Sequence, residues 1–365
     1  MLKEMRCPAK YTQGKGALAS FYAQAKDLGE RFLFVCSNSG HACCKDELEK
    51  SFEGSDAYRR YEIFGGISSN AEIARMEEII KEDNIDCVVA LGGGSAIDTA
   101  KAAAFYTGKK IAIIPTVAAT DAPCTGLSVI YNEDETFDRY VFYPSNPDLV
   151  LVDTQVIADA PVDYFVAGLG DALGTYFEAR TCKKMEAPSL EGGGICNSAM
   201  ALCELCCETL FKYGAMAKHA VEANVVTPAL ETVVEATIYL SGVGADNGGL
   251  AAAHSIYNGF TAIDECADIN HGDLVAFGTL VQLVLENASE DEILEVMSFI
   301  HEVGLPMCLG DLNIDDPSKI MPGCVKACAE GETIHNLTSK PSAEDVYAAA
   351  LQVDAMGRNY LGLNN

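Results

Sequence analysis

The order of apolar segments predicts an α/β fold in two parts: an N-terminal doubly wound parallel sheet, followed by an all-helical half. Three observations carry this. Short apolar runs alternate with helix-patterned stretches through about residue 115, the rhythm of a parallel sheet with helices on both faces. Gly92-Gly93-Gly94-Ser95 stands where one such run hands over to a helix pattern. After Pro161 the strand runs cease and 3.6-residue periodicity takes over. The expected division is an α/β domain over 1–160 and a helical domain over 161–365, with no Ser/Pro-rich linker between them.

In order along the chain, Arg31–Cys36 (RFLFVC) is a first strand, and a helix-like stretch after Ser39-Gly40 reaches Phe52. Tyr61–Phe64 is a second strand, closed by Gly65-Gly66. Ser69, with Glu72 three residues on, reads as a capping box for a helix whose buried face is Ile73, Met76, Ile79 and Ile80. Asp86–Leu91 (DCVVAL) runs into the glycines and a helix over 96–106, and Ile111–Ile114 is a fourth strand ended by Pro115-Thr116. Residues 115–131 read as a polar loop feeding a strand at the same sheet edge. The second half predicts helices over 162–182, 195–213, 228–242, 248–258, 271–287, 290–303 and 343–360, and the cleft between the halves is the expected place for a small-molecule site.

The formal charge is −28, from 25 Lys+Arg against 53 Asp+Glu. A field of that sign repels phosphate backbones and anionic lipid, so neither nucleic acid nor a membrane surface is an expected partner. Residues 1–20 carry several charges and no apolar core, and no apolar run of about 18 residues occurs, so a cytoplasmic protein is expected. Fifteen cysteines could suggest disulfides or a zinc knuckle at Cys203, Cys206 and Cys207. These three lie in an apolar helical pattern without a second pair at knuckle spacing, so the cysteines are read as reduced and packed.

Five places carry candidate chemistry. Glycines at 92–94 let a ligand approach the backbone, and the helix start offers unpaired N–H groups to an anion such as a pyrophosphate. The sequence is neither G-x-G-x-x-G nor a P-loop, so on its own it specifies only a phosphate-bearing ligand or a tight turn. The 115–131 loop adds the hydroxyls of Thr116, Thr120 and Thr125 and the carboxylate of Asp121. Asp171 stands near a helix start, His254 on an alanine-lined helix face, and His271 at another helix start, with Asp273 placed to cap that helix. Each taken singly has an ordinary structural explanation. Together, two imidazoles and a carboxylate suit a catalytic zinc with an open position, but spacing alone cannot bring them together.

The chain resembles the glycerol dehydrogenases, within the superfamily of iron-containing alcohol dehydrogenases and dehydroquinate synthases. The resemblance runs through PAKYTQGKG (8–16), GGGSAIDTAKA (92–102), PTVAATDAPCTGLSVIY (115–131), GLGDALGTYFEAR (168–180), GGLAAAHSIYNGFTAI (248–263) and HGDLVAFGTLVQL (271–283). It implies that Gly93, Gly94 and Ser95 cradle the pyrophosphate of NAD, with Asp98 close behind. It implies that Thr116, Thr125, Leu127, Val129 and Tyr131 line the cofactor groove. Asp171, His254 and His271 would bind one divalent metal, zinc rather than iron, and Asp121 would face the hydroxyls of a small polyol. Thr175, where iron-dependent relatives carry a His four residues after the metal-binding Asp, points to the glycerol dehydrogenase branch. Ser37 and Asn38 stand where NAD-dependent relatives often have an Asp for the adenosine ribose, so NADP stays open. Tyr257 replaces a frequent second His, and the 266–270 segment is short and poor in aromatics and histidine.

The activity implied is hydride transfer from a vicinal diol, glycerol to dihydroxyacetone, by a homo-oligomer of a family that is often octameric. The alternatives are a dehydroquinate-synthase-like cyclase, which would need cations beyond Arg180, Lys183 and Lys184, and a non-catalytic NAD- or metal-binding sensor.

Overall fold

The computed structural model describes residues 1–134 and 136–363. Its strands are β1 (Tyr11–Gly14), β2 (Arg31–Cys36), β3 (Tyr58–Ile63), β4 (Cys87–Gly92), β5 (Lys110–Pro115), β6 (Leu127–Tyr131), β7 (Phe137–Phe142) and β8 (Leu149–Asp153). Six of them form one parallel sheet in the order β1-β8-β5-β4-β2-β3. The strands CVVALG and LVLVD are buried at every position, as strands covered on both faces must be. The edge strand β3, YRRYEI, is only partly buried, and its Arg59 and Arg60 pair with Glu49 and with Glu62 and Asp83. On one face of the sheet Phe21, Phe32, Phe34 and Phe52 pack ring against ring.

The chain leaves β2 for β3 on one side and returns to β4 and then β5 on the other, so the winding reverses between β2 and β4. Their carboxyl ends, Ser37 and Gly92-Gly93, lie side by side: Ser37 N–H donates to Leu91 C=O at 2.9 Å. That reversal is where ligands of doubly wound sheets sit.

Two local expectations are corrected. Ser69 Oγ accepts the Glu72 N–H at 3.3 Å, but the Glu72 carboxylate turns to Gly65 N–H and to Arg75, so the cap is one-sided. The Arg75 guanidinium outcompetes a lone amide for that carboxylate. The strand after the 115–126 loop does not join the main sheet. β6 pairs antiparallel with β7 in a separate two-stranded sheet, because the short turn between them closes a hairpin.

The rest of the chain is helical, with principal helices Val162–Lys184, Asn197–Glu222, Ala252–Phe260, His271–Leu285, Glu290–Val303 and Ala343–Tyr360. The predicted 228–242 helix is Pro228–Glu235 running into a π-helical turn, Ala236–Leu240, and on into Ser241–Gly248. The compact units divide differently from a cut at 160. One comprises Arg6–Phe165 with His219–Val243; the other comprises Met1–Met5, Val166–Lys218 and the chain from Gly244 onward. Periodicity could not foresee this, because a helix packs with whichever sheet or bundle its apolar face meets. All fifteen cysteines are free thiols, most of them buried. Among the described residues no helix is long and apolar enough to cross a membrane.

Candidate functional site

In the helical unit, His271 Nε2 lies 3.0 Å and His254 Nε2 3.4 Å from the same oxygen, Oδ1 of Asp171. One ligand-type atom from each residue lies within 4.8 Å of the others. Asp171 is buried, while the two imidazoles are partly open, so the cluster has a closed floor and an accessible side.

Glycines bring these three helices close enough. A Cβ on Gly272 would sit 1.7 Å from the Ala167 carbonyl oxygen, and one on Gly170 would sit 2.3 Å from the Gly272 carbonyl. The helices bearing Asp171 and His271 therefore touch backbone to backbone one residue from each ligand. Nearly two turns further along the His271 helix, a Cβ on Gly278 would meet the Ala253 carbonyl at 2.6 Å, which draws in the His254 helix. Side chains at those positions would hold the backbones apart and separate the donors.

The start of the Ala252–Phe260 helix is buried, and its orphan N–H groups need partners. Two buried side chains divide them. Glu178 Oε1 accepts from Ala251 N at 2.8 Å and His254 N at 3.0 Å, and Gln282 Oε1 accepts from Ala252 N at 2.9 Å and Ala253 N at 3.1 Å. The other Glu178 oxygen meets His254 Nδ1 at 2.5 Å. Burial by itself would lower the His254 imidazole, but Glu178 and then Asp171 raise it well above its ordinary range. Burial would raise Asp171, yet His271 and His254 hold it well below the usual carboxylate range. A cluster that draws a proton onto an imidazole draws cations generally, and two imidazole nitrogens with one carboxylate oxygen are a fitting donor set for a divalent ion.

In the α/β unit, β4 ends at Gly92 and the Gly94–Thr107 helix begins with Gly93 as its N-cap. A glycine cap offers no side-chain acceptor, so first-turn N–H groups remain for a ligand. A Cβ on Gly92 would crowd Ala96 Cβ at 2.9 Å and Ser37 Cβ at 3.1 Å, whereas one on Gly94 would meet nothing closer than 3.8 Å. The first glycine thus serves the tight turn, and the later ones leave room beside an N-terminus suited to an anion. Ser95, Ser37 and Asn38 lie on the accessible side of this turn.

The loop from Thr116 to β6 is fastened from beneath. Lys101, buried on the same helix, donates through Nζ to Ala122 O (2.5 Å), Thr125 O (2.9 Å), Thr125 Oγ1 (3.1 Å) and Leu127 O (3.0 Å). The Thr125 hydroxyl is therefore bound inward. Asp98, one turn earlier, is also buried and accepts from Val129 N at 3.3 Å; burial pushes its carboxyl up to about 6 despite Lys101 nearby. Thr116 is buried, while Leu127, Val129 and Tyr131 are partly exposed along β6, and Asp121 is partly exposed in the loop.

The profile described as iron-containing alcohol dehydrogenase matches residues 8–154. Over 359 residues, 98% of this chain and 98% of the relative, the sequence is 46% identical to a glycerol dehydrogenase of Escherichia coli O6:H1. The chain belongs to the glycerol dehydrogenase family. A second member, from Citrobacter freundii, is 44% identical over 363 residues, covering 99% of this chain and 100% of the relative. The crystal structure of glycerol dehydrogenase from Schizosaccharomyces pombe superimposes with a TM-score of 0.95 at 32% identity, over 100% of this chain and 94% of that one.

Within this glycerol dehydrogenase frame, sequence reasoning passed over Glu178, Gln282 and Lys101. Glu178 had a signal: it lies seven residues after Asp171, two helical turns along the same face. Gln282 lies eleven residues after His271, three turns along in an otherwise apolar helix, where a polar side chain must find partners. Thr175 is buried one turn after Asp171 with its methyl against the backbone position of Gly244.

Proposed function

We propose that this protein is a metal- and NAD-dependent dehydrogenase that oxidises small vicinal diols, glycerol to dihydroxyacetone in the first instance. The observation that carries the reading is the convergence of His254 Nε2 and His271 Nε2 on Asp171 Oδ1 in a chain 46% identical to a glycerol dehydrogenase. Asp171, His254 and His271 would hold the ion, zinc in our reading, and Asp121 would orient the diol. Gly93, Gly94 and Ser95 would bind the pyrophosphate through first-turn N–H groups, with Ser37 and Asn38 at the adenosine ribose. Thr116, Thr125, Leu127, Val129 and Tyr131 would form the groove wall, backed by Asp98. A bound divalent ion supplies Lewis acidity toward a hydroxyl oxygen, and NAD accepts the hydride. In balance, the diol loses a hydride from carbon and a proton from oxygen, giving ketone, NADH and H⁺.

The cyclase alternative gains no support, because two of the three cations nearest the motifs, Arg180 and Lys183, are engaged elsewhere. Arg180 pairs with Glu292 and Glu286, and Lys183 Nζ donates to Ile195 O at 2.6 Å. We also read the protein as a cytosolic homo-oligomer; fifteen free thiols suit a reducing compartment.

The test is NADH absorbance with glycerol at alkaline pH, with and without chelator and zinc add-back, and with NADP in parallel. Chelator-sensitive turnover restored by zinc supports the reading. Absence of turnover with glycerol, propanediol and butanediol in either cofactor overturns it.

A further inference from the structure

Glu178 is fully buried and spreads its two oxygens over distinct tasks. Oε1 takes two backbone N–H groups at the start of the helix bearing His254, while Oε2 takes the ring at Nδ1. A carboxylate accepts hydrogen bonds, so the 2.5 Å contact holds a hydrogen on Nδ1 and makes Nε2 the nitrogen that gives up its proton to a metal ion. Nε2 is the nitrogen turned to Asp171 Oδ1.

We infer that Glu178 is a positioning residue that fixes His254 as an Nε2 metal ligand and thereby sets how tightly the ion is held; this rests on reading Asp171, His254 and His271 as the metal site. A glutamine cannot replace it, although it has the same shape. With its carbonyl on Ala251 N–H and His254 N–H, the amide introduced by E178Q turns an NH₂ toward Nδ1. The hydrogen then moves to Nε2, the ligand atom. Flipped the other way, the amide satisfies Nδ1–H but sets its own donors against two backbone donors. Only a group with two acceptor oxygens meets all three demands. Gln282 keeps its own pair of N–H groups in either case, so half of the helix cap survives the substitution.

The experiment measures zinc affinity of the metal-free protein by competition with a chromophoric chelator, for wild type and E178Q, together with thermal unfolding of both metal-free forms. Outer partners of ligating histidines typically contribute 10–100-fold in metal affinity. We expect E178Q to unfold cooperatively as the wild type does and to bind zinc roughly 10–100-fold more weakly. Equal zinc affinity in the two proteins overturns the inference and leaves the metal site standing. Failure of the wild type to bind zinc overturns the metal reading itself, and the inference with it. Should E178Q not fold, long-range ¹H–¹⁵N correlation on the zinc-loaded wild type decides: a His254 signal with hydrogen on Nδ1 and metal on Nε2 is expected, and the opposite pattern overturns the inference.

Discussion

His271 Nε2 lies 3.0 Å from Asp171 Oδ1 across 100 residues of chain. His254 Nε2 reaches the same oxygen from a third helix, and Glu178 closes the group from behind. The contest at this site is between a divalent ion and protons, because the carboxylates raise the His254 imidazole well above its ordinary value. Ion binding must expel that proton. Zinc affinity is therefore expected to tighten as pH rises through and beyond the ordinary imidazole value of 6.5, with proton release on binding at pH 7. Calorimetry in buffers of different ionisation enthalpy measures the release. H254A and H271A should each lose tight zinc binding and turnover, and a pH-independent affinity in the wild type would contradict the assignment.

The glycine contacts make a second prediction. Replacing Gly272 by Ala places a Cβ against backbone, the Ala167 carbonyl, which cannot rotate away as a side chain could. Overpacking of this kind typically costs about 1–3 kcal/mol, and a backbone neighbour puts G272A at or above the upper end. Because the strain falls between Asp171 and His271, G272A should lose zinc affinity as well as thermal stability. A variant that unfolds earlier yet binds zinc as tightly as wild type would show that the close helix contact does not position the ligands.

Much of this was legible in the sequence, and the exceptions have physical causes. The alternation of RFLFVC, DCVVAL and IAII with helical patterns fixes a parallel sheet, because buried parallel strands must be apolar on both faces. The Gly92–Ser95 turn was legible because few other sequences bend so tightly between strand and helix. The meeting of Asp171, His254 and His271 was legible only through the family resemblance, since periodicity carries no information about which helices touch. Gly170, Gly272 and Gly278 were visible as glycines within helical patterns, where they cost stability unless something approaches closely. The β6–β7 hairpin was misplaced because an apolar alternating run does not say which strand it pairs with. Glu178 and Lys101 were passed over because a charged residue on a helix is ordinarily solvated, and only burial reveals otherwise.

Lys101 gives a third prediction, on cofactor binding. Its ammonium gathers three carbonyls and a hydroxyl from residues 122–127, the stretch leading into the proposed cofactor-groove wall. K101M keeps the stem's packing but takes the ammonium from the Thr125 and Leu127 carbonyls and leaves Ala122 O with only the Thr125 hydroxyl, at about 1–3 kcal/mol for each acceptor that loses its donor out of reach of water. The loop should then loosen, raising the dissociation constant and KM for NAD at least tenfold, while zinc affinity in the helical unit stays unchanged. Fluorescence titration with NADH measures the first and chelator competition the second. Unaltered NADH affinity would mean the loop holds its shape without the lysine.

Asp98 supplies a pH-dependent prediction of the opposite sign to most carboxylates. Its folded value, about 6, stands above the ordinary 3.8 because burial disfavours the charge. A raised carboxyl favours the folded state while protonated, so its contribution is fully present below pH 3.8 and is lost as pH rises through 6. A carboxyl moved from 3.8 to about 6 corresponds to about 3 kcal/mol for so buried a group. D98N keeps an oxygen for Val129 N–H without the charge, so its stability relative to wild type should grow between pH 4 and pH 6 and level off above. Urea midpoints measured for both proteins across that range test it. A constant difference between them would mean that Asp98 is ionised throughout, held so by Lys101 more strongly than burial opposes.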